Sequence, residues 1–294
     1  MREIPKWLKD LAAKKKAAFH TRQAKLLKQT LDDNFCTVCK EARCPNRGDC
    51  FCNGDATIMI LGSVCTRSCR FCSVAKHIKP KAPDSEEPKK IAAFVKKRNL
   101  KYLVLTMPTR DDLSDGGARH IAEVLKEVKK QNPACLTEPL ISDLQGNWEA
   151  LKIVLSAGPE VLGHNMETVP SLYKKVRVGA SYERSLELLK KVKELAPSIL
   201  TKSSLMLGLG ETEEELKEVF KALRKVNCDI LTLGQYLAPT PEHLEVQSYP
   251  TQEYYDKLKA YALSLGFKAV LAGPFVRSSY KAGSLYQEAI KKAC

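Results

Sequence analysis

The chain has 294 residues, with 48 Lys+Arg against 34 Asp+Glu for a net charge of +14, and 44% of its residues are hydrophobic. This balance excludes a disordered or collagen-like chain and leaves room for a large core, as one α/β barrel or two smaller domains. No apolar run approaches the roughly 18 residues of a membrane span, and the opening MREIPKWLKDLAAKKK lacks the apolar stretch of a signal peptide, so a cytoplasmic protein is expected.

In chain order, the first 31 residues carry nine basic side chains against only Glu3 and Asp10. Trp7, Leu8, Leu11, Phe19, Leu26 and Leu27 recur at loosely helical spacing, which predicts an amphipathic arm. Its charge is either a solvated face packed on the main domain or a docking element for an acidic partner. A transit peptide is disfavoured, since the arm has no Ser. Eight of the eleven cysteines then follow between positions 36 and 72. Strands are predicted at Thr57–Leu61, Tyr102–Thr106, Ala134–Thr137, Val161–Gly163, Ile199–Leu207 and Asp229–Leu233, short apolar runs suited to burial on both faces. Between them lie amphipathic helices, starting near Pro88 and at Gly117–Lys130, Asn147–Ser156, Ser181–Leu195 and Glu211–Val226. A seventh pair is suggested by a helix Gln252–Leu265 ahead of a strand at Lys268–Leu271.

Strand–helix alternation implies a parallel sheet with right-handed crossovers. Six units suit an open partial barrel better than a closed eight-unit one, and periodicity alone leaves a doubly wound sheet equally open. In either case, chemistry belongs at the carboxyl ends of the strands.

Cys65, Cys69 and Cys72 form C-x3-C-x2-C in the loop directly after the first strand. Three thiolates are one ligand short of a tetrahedral zinc site, whereas on a [4Fe–4S] cube they leave one iron open to a small molecule. Upstream, Cys39, Cys44 and Cys50 form C-x4-C-x5-C, again one ligand short. A zinc site that recruits Cys36 stays open here, but two such sets in tandem more naturally describe two iron–sulfur clusters. The isolated Cys135, Cys228 and Cys294 read as small buried hydrophobes. No Ser-His-Asp set or carboxylate pair points to hydrolysis.

The first motif, with Phe71 before its last Cys, resembles the signature of the radical S-adenosylmethionine (SAM) superfamily. The whole chain, from about Pro5 to Gln287, resembles the lipoyl synthase family within it. The match runs through both cysteine sets and the blocks RDDLSDGGA, GHNMETVPSLY, LMLGLGET, LTLGQYLAPTPEHL and GPFVRSSYKAG. The resemblance implies an α/β fold, a partial (βα)6 TIM-like barrel of the radical SAM type with N-terminal and C-terminal extensions. Residues 1–54 would be the basic helix and auxiliary-cluster segment, 55–250 the barrel, and 251–294 an extension carrying RSSY.

It also implies two [4Fe–4S] clusters. One on Cys65, Cys69 and Cys72 would bind SAM and, once reduced, cleave it to a 5′-deoxyadenosyl radical. The other, on Cys39, Cys44, Cys50 and Ser279 of RSSY, would be a sacrificial sulfur donor, with Ser278 the less favoured alternative. A serine oxygen is a harder donor than thiolate, which suits a cluster meant to be dismantled. The implied activity is insertion of two sulfur atoms at C6 and C8 of a protein-bound octanoyl-lysine. The implied partners are an acidic octanoylated lipoyl carrier domain, a flavodoxin or ferredoxin as electron donor, and an iron–sulfur carrier. Nucleic acid and membrane are not expected, although the pI of 9.2 keeps a metal-bound nucleic-acid binder as a rival. A second rival is another two-cluster enzyme of the biotin synthase or methylthiotransferase type.

By position on the strands, Glu138 and Asn165 are candidate SAM or substrate contacts. Gly208 and Gly210, followed by Glu211, offer backbone N–H groups to SAM, or else form a tight turn into a helix. His77, His120, His164 and His243 read as structural. The chain departs from the family's usual text at Phe51–Thr57, Thr106–Leu113, Ser204 and His243–Val246, and none of these changes removes a cluster ligand.

Overall fold

The computed structural model describes residues 3–17, Phe35, Cys44, Asn46, Cys50 and 56–292. Cys36, Cys39, Cys52 and most of the basic arm lie outside the described residues. Within the arm, α1 (Lys6–Ala17) buries Leu8 while Trp7 stays exposed.

Seven parallel strands carry the rest: β1 (Ala56–Met59), β4 (Tyr102–Thr106), β5 (Leu136–Leu140), β6 (Val161–Gly163), β7 (Leu200–Leu207), β8 (Ile230–Gln235) and β9 (Ala269–Gly273). They line up in that order, each paired with the next. A doubly wound sheet needs a point where the strand order reverses. This order never reverses, so the sheet is singly wound in the manner of a barrel, and it stays open because β1 and β9 do not pair. Two further short strands, β2 (Val64–Cys65) and β3 (Ala75–Lys76), pair with each other in the loop after β1.

The connecting helices are α2 (Glu87–Arg98), α3 (Ala118–Gln131), α4 (Trp148–Ser156), α5 (Tyr182–Leu195), α6 (Glu213–Lys225) and α7 (Gln252–Ser264). Their ends follow local chemistry. In α2, Pro88 and Glu87 stand in the first turn, basic Lys96, Lys97 and Arg98 in the last, and Asn99 caps it at φ 49°. Thr212 and Glu215 form a capping box on α6. That helix begins after Thr212 rather than at Glu211, because Glu211 turns its carboxylate back on the preceding loop. The third strand also differs from the expected 134–137. It continues through Pro139, which keeps its place in the ladder opposite Leu105. Glu138 therefore sits mid-strand instead of at the strand's carboxyl end.

Alternation along the strands separates two cores. Leu103, Leu105, Leu162, Leu205, Leu231, Leu233 and Val270 face the helices. Val161, Leu200, Ile230 and Ala269 face the lumen at the amino ends of the strands, where α8 (Ala282–Lys291) plugs the barrel with Leu285 and Ala289. Tyr102 and Val104 meet Ala282 of the same helix. β9 thus joins the segment after residue 250 to the sheet itself, and α8 and the loop before it pack on the strands without adding one. Above the plug, Lys202 Nζ donates to Glu138 Oε1 at 2.8 Å and Tyr102 Oη donates to Glu138 Oε2 at 2.7 Å, a buried ion pair with every partner in place.

Candidate active site

At the carboxyl ends of the strands lies a cavity of about 270 Å3. Lumen-facing Thr106, Leu140, Ser204, Met206 and Gly234 form its base, and Cys65, Cys69 and Cys72 stand in its wall. The loop carrying these cysteines is fastened along its length. Thr66 N–H donates to Thr109 O at 3.0 Å, His77 N–H to Cys65 O at 3.0 Å and Arg70 N–H to Val176 O at 3.0 Å. Arg67, between the first two cysteines, donates from Nε to Asp111 at 2.6 Å and from Nη2 to Asp143 at 2.6 Å. Burial alone would lower its pKa, but the bonds to Asp111 and Asp143 raise it, so it stays cationic. His243 Nε2 donates to Cys72 O at 3.2 Å, strapping the 240–244 loop across the last cysteine.

Burial pushes the Cys69 thiol up to about 11, with Arg177 opposing and Cys72, Glu167 and Cys65 adding repulsion. Burial likewise raises Cys72. Burial thus disfavours the thiolate form of Cys69 and Cys72, and a bound cationic group such as an iron cube would offset that cost. Among the described residues, no three His, Cys, Asp or Glu side chains gather tightly enough for a single metal ion. A cube spreads its thiolates over separate irons, so these cysteines suit a cube better than zinc.

Beside the cysteines, Asn165, Glu167 and Arg177 complete one wall. Asn165 Nδ2 donates to Glu167 Oε1 at 2.9 Å, while its Oδ1 is buried without a partner. Arg177 Nη1 donates to Asn165 O at 2.8 Å and Tyr173 Oη at 2.6 Å. Burial raises the Glu167 carboxyl against the pull of Arg177. An unpaired acceptor, a carboxyl and a fixed guanidinium on one wall fit the ammonium and carboxylate of an amino acid such as the methionine part of SAM. Sequence reasoning singled out Asn165 but passed over Glu167 and Arg177. Glu167 stands in the quoted HNMET block at φ 66°, a conformation no residue-type pattern announces.

The opposite wall comes from the loop after β9, with Val276, Arg277 and Ser278. Gly234 lets this loop lie directly on the strand, since a Cβ there would fall far inside contact distance of the Val276 carbonyl. Asn46, from the upstream cysteine segment, donates to Phe275 O across 229 positions of sequence, and its own carbonyl accepts from Cys50 N–H at 2.9 Å. Arg277 is within electrostatic reach of both Cys44 and Glu167. The RSSY loop therefore stands between the described upstream cysteines, Cys44 and Cys50, and the cavity. Ser278 lines the cavity; Ser279 is half-buried and does not.

Four candidate contacts, Glu138, Gly208, Gly210 and Glu211, fall elsewhere. Glu138 lies a layer below the cavity, committed to Lys202 and Tyr102. Gly208 and Gly210 do take the left-handed backbone of a tight turn, at φ 95° and 112°. The N–H groups of Gly208 and Leu209, however, donate to Glu211 at 2.6 and 2.9 Å, so the nest that could hold an anion is filled by the chain's own carboxylate. His164 is held between Ile141 O and Ser185 Oγ, and His120 against Glu87.

The radical SAM superfamily description matches residues 59–223, from the last residue of β1 through most of α6. The chain is 52% identical to the lipoyl synthase of Caldanaerobacter subterraneus subsp. tengcongensis, over 84% of this chain and 86% of that one. It is 53% identical to that of Caldicellulosiruptor saccharolyticus, over 88% and 89%. The chain belongs to the lipoyl synthase family. Solved structures agree on the fold at much lower identity. Methylornithine synthase matches with a TM-score of 0.55 at 16% identity, over 74% of this chain and 70% of that one. The FeFe-hydrogenase maturase HydG of Carboxydothermus hydrogenoformans matches with 0.58 at 12%, over 96% and 71%. As a member of the lipoyl synthase family, the chain is a radical SAM enzyme, and its open parallel barrel is the superfamily's fold. No helix among the described residues is long and apolar enough to cross a membrane.

Proposed function

We propose that this enzyme inserts two sulfur atoms, at C6 and C8, into an octanoyl chain amide-linked to a lysine of a lipoyl carrier domain. Cys65, Cys69 and Cys72 hold one [4Fe–4S] cluster, and Cys39, Cys44, Cys50 and Ser279 hold a second. When bound, the first supplies the electron that cleaves SAM and the second supplies the sulfur. Unactivated C–H bonds give acid–base groups no purchase, so the residues of this chain bind, orient and exclude water while the cofactors carry the reaction. Asn165, Glu167 and Arg177 receive the amino-acid end of SAM. Met206, Leu140 and Val276 give the cavity an apolar lining suited to an alkyl chain.

The observation that carries this reading is the contact of Asn46 with Phe275, with Cys44 near Arg277. It supports a position for Cys44 and Cys50 beside the loop that walls the cavity of the downstream set. A substrate in that cavity would lie between two metal centres, as transfer of sulfur from one centre to a radical made at the other requires.

The test is anaerobic reconstitution followed by incubation with SAM, reductant and an octanoyl-lysine peptide. About eight irons per chain are expected for two cubes, and the peptide should gain two sulfurs by mass. Cys69→Ala should abolish SAM cleavage. Cys44→Ala should retain some SAM cleavage and yield no thiolated product; lipoyl product at normal yield would refute the sulfur-donor assignment. Comparing Ser279→Ala with Ser278→Ala by iron content and product separates the two hydroxyls: the first should lose iron from the second cluster, the second should not.

A further inference from the structure

Of the cavity's lining residues, Lys76 is the one exposed to solvent, and it marks the mouth. Lys76 ends β3, which pairs with the Cys65 strand, and His77 N–H donates back to Cys65 O. The chain then turns outward as Ile78-Lys79-Pro80-Lys81, tied by Lys79 N–H donating to His77 Nδ1 at 3.0 Å. Ile78 is 77% exposed, well above any other large hydrophobic residue of the described structure. Ile78 and the lysines beside it give this anchored tip an apolar contact point and a positive rim next to the mouth.

The charges around it are distinctive as well. Some surface lysines elsewhere are neutralised by near neighbours, Lys90 by Asp84, Lys152 by Glu149, Lys217 by Glu213 and Lys221 by Glu218, while Lys96, Lys97 and Lys126 have no ion-pair partner among the described residues. Lys76, Lys79 and Lys81 have no ion-pair partner among the described residues. Neither do Arg70, in the cysteine loop, and Lys174 and Lys175, on the turn that accepts the Arg70 N–H. Six cations without an ion-pair partner among the described residues thus lie on the cysteine loop, the tip beside the mouth and the adjoining turn.

Resting on the function proposed above, we infer that the 76–81 tip docks an acidic face of the carrier domain, with Ile78 as its apolar contact and the lysines steering and orienting the approach. An acyl-lysine arm reaches a buried cavity only if the domain that bears it sits against the mouth, and among the described residues the 76–81 tip is exposed surface beside it. Charge at the rim of such an interface acts chiefly on the rate of encounter and on salt dependence.

The test uses reconstituted enzyme with two substrates: an octanoylated carrier domain of net negative charge and a short octanoyl-lysine peptide. Ile78→Asp and Lys79→Glu/Lys81→Glu should each weaken carrier binding, measured by fluorescence anisotropy, by roughly tenfold or more, and the double variant should flatten its salt dependence. Peptide turnover should match that of the parent enzyme. Carrier binding equal to the parent's, or carrier and peptide turnover falling in parallel, would overturn the proposal. So would unchanged carrier binding with loss of affinity for duplex RNA or anionic vesicles, which would assign the surface to another occupant. If the parent enzyme thiolates neither substrate, the functional reading fails, while the anisotropy measurement still decides the docking surface.

Discussion

Lys202 and Glu138 show how a buried polar group can look like a site residue when only its position along the chain is known. The carboxylate at a barrel strand suggested a ligand contact, but its register one layer down turned it into structure. Nothing in the local sequence reveals this, because the cation that answers Glu138 lies two strands away. Breaking the pair on one side should cost about 3–5 kcal/mol, since a lone charge would stay in the barrel interior. Lys202→Met should therefore lower the denaturation midpoint sharply. Glu138→Leu/Lys202→Met should recover most of the loss, short of the about 1–3 kcal/mol for leaving the Tyr102 hydroxyl without its acceptor. SAM cleavage in the double variant should persist, as it would not if Glu138 held SAM. His164 carries a second residue-scale prediction. Burial, with the nearby Arg177 charge, lowers its pKa from 6.5 to about 3. Between those values the unfolded chain binds the extra proton and the folded one does not, so stability is full above about pH 6.5 and falls as pH drops, by up to about 1.4 kcal/mol per unit. Urea unfolding at pH 7 and pH 5 should show this slope, and His164→Gln should flatten it.

At the scale of elements, the strands and helices were largely legible because period-two and period-3.6 patterns survive in this chain. Tyr102–Thr106 and Val161–Gly163 match their expected bounds. The shortfall came where a side chain competes with a backbone rule: Pro139 hid the end of β5, and Glu211 moved the start of α6. The cysteine loop was legible as chemistry, but its fastening by Arg67 to Asp111 and Asp143 was not, since those partners stand 44 and 76 positions away. The RSSY loop rests on Gly234 by the same kind of long-range fit. Gly234→Ala should push that loop off the strand while leaving the cysteine loop in place. The expected outcome is SAM cleavage uncoupled from product, with 5′-deoxyadenosine formed at a rate near that of the unaltered enzyme and lipoyl yield down by an order of magnitude or more. Equal loss of both would mean the loop serves the first cluster too.

For the molecule as a whole, the barrel is stoppered at one end by α8 and functional at the other, so its stability and its chemistry rest on opposite faces. Leu285→Ala, in the stopper, should cost about 2–5 kcal/mol and leave the rate per folded enzyme unchanged, checked by denaturant midpoint alongside active-site titration. The contact between Asn46 and Phe275 has a consequence in time as well as space. A ribosome adding 5–20 residues each second takes roughly 10–45 s to traverse the 229 positions between them. For that interval the upstream thiols have emerged and their eventual shelter has not been made. On the function proposed above, a centre that takes a ligand from the RSSY loop could be completed only after that loop is made, and a nascent chain stalled short of it would leave the upstream thiols without that cover.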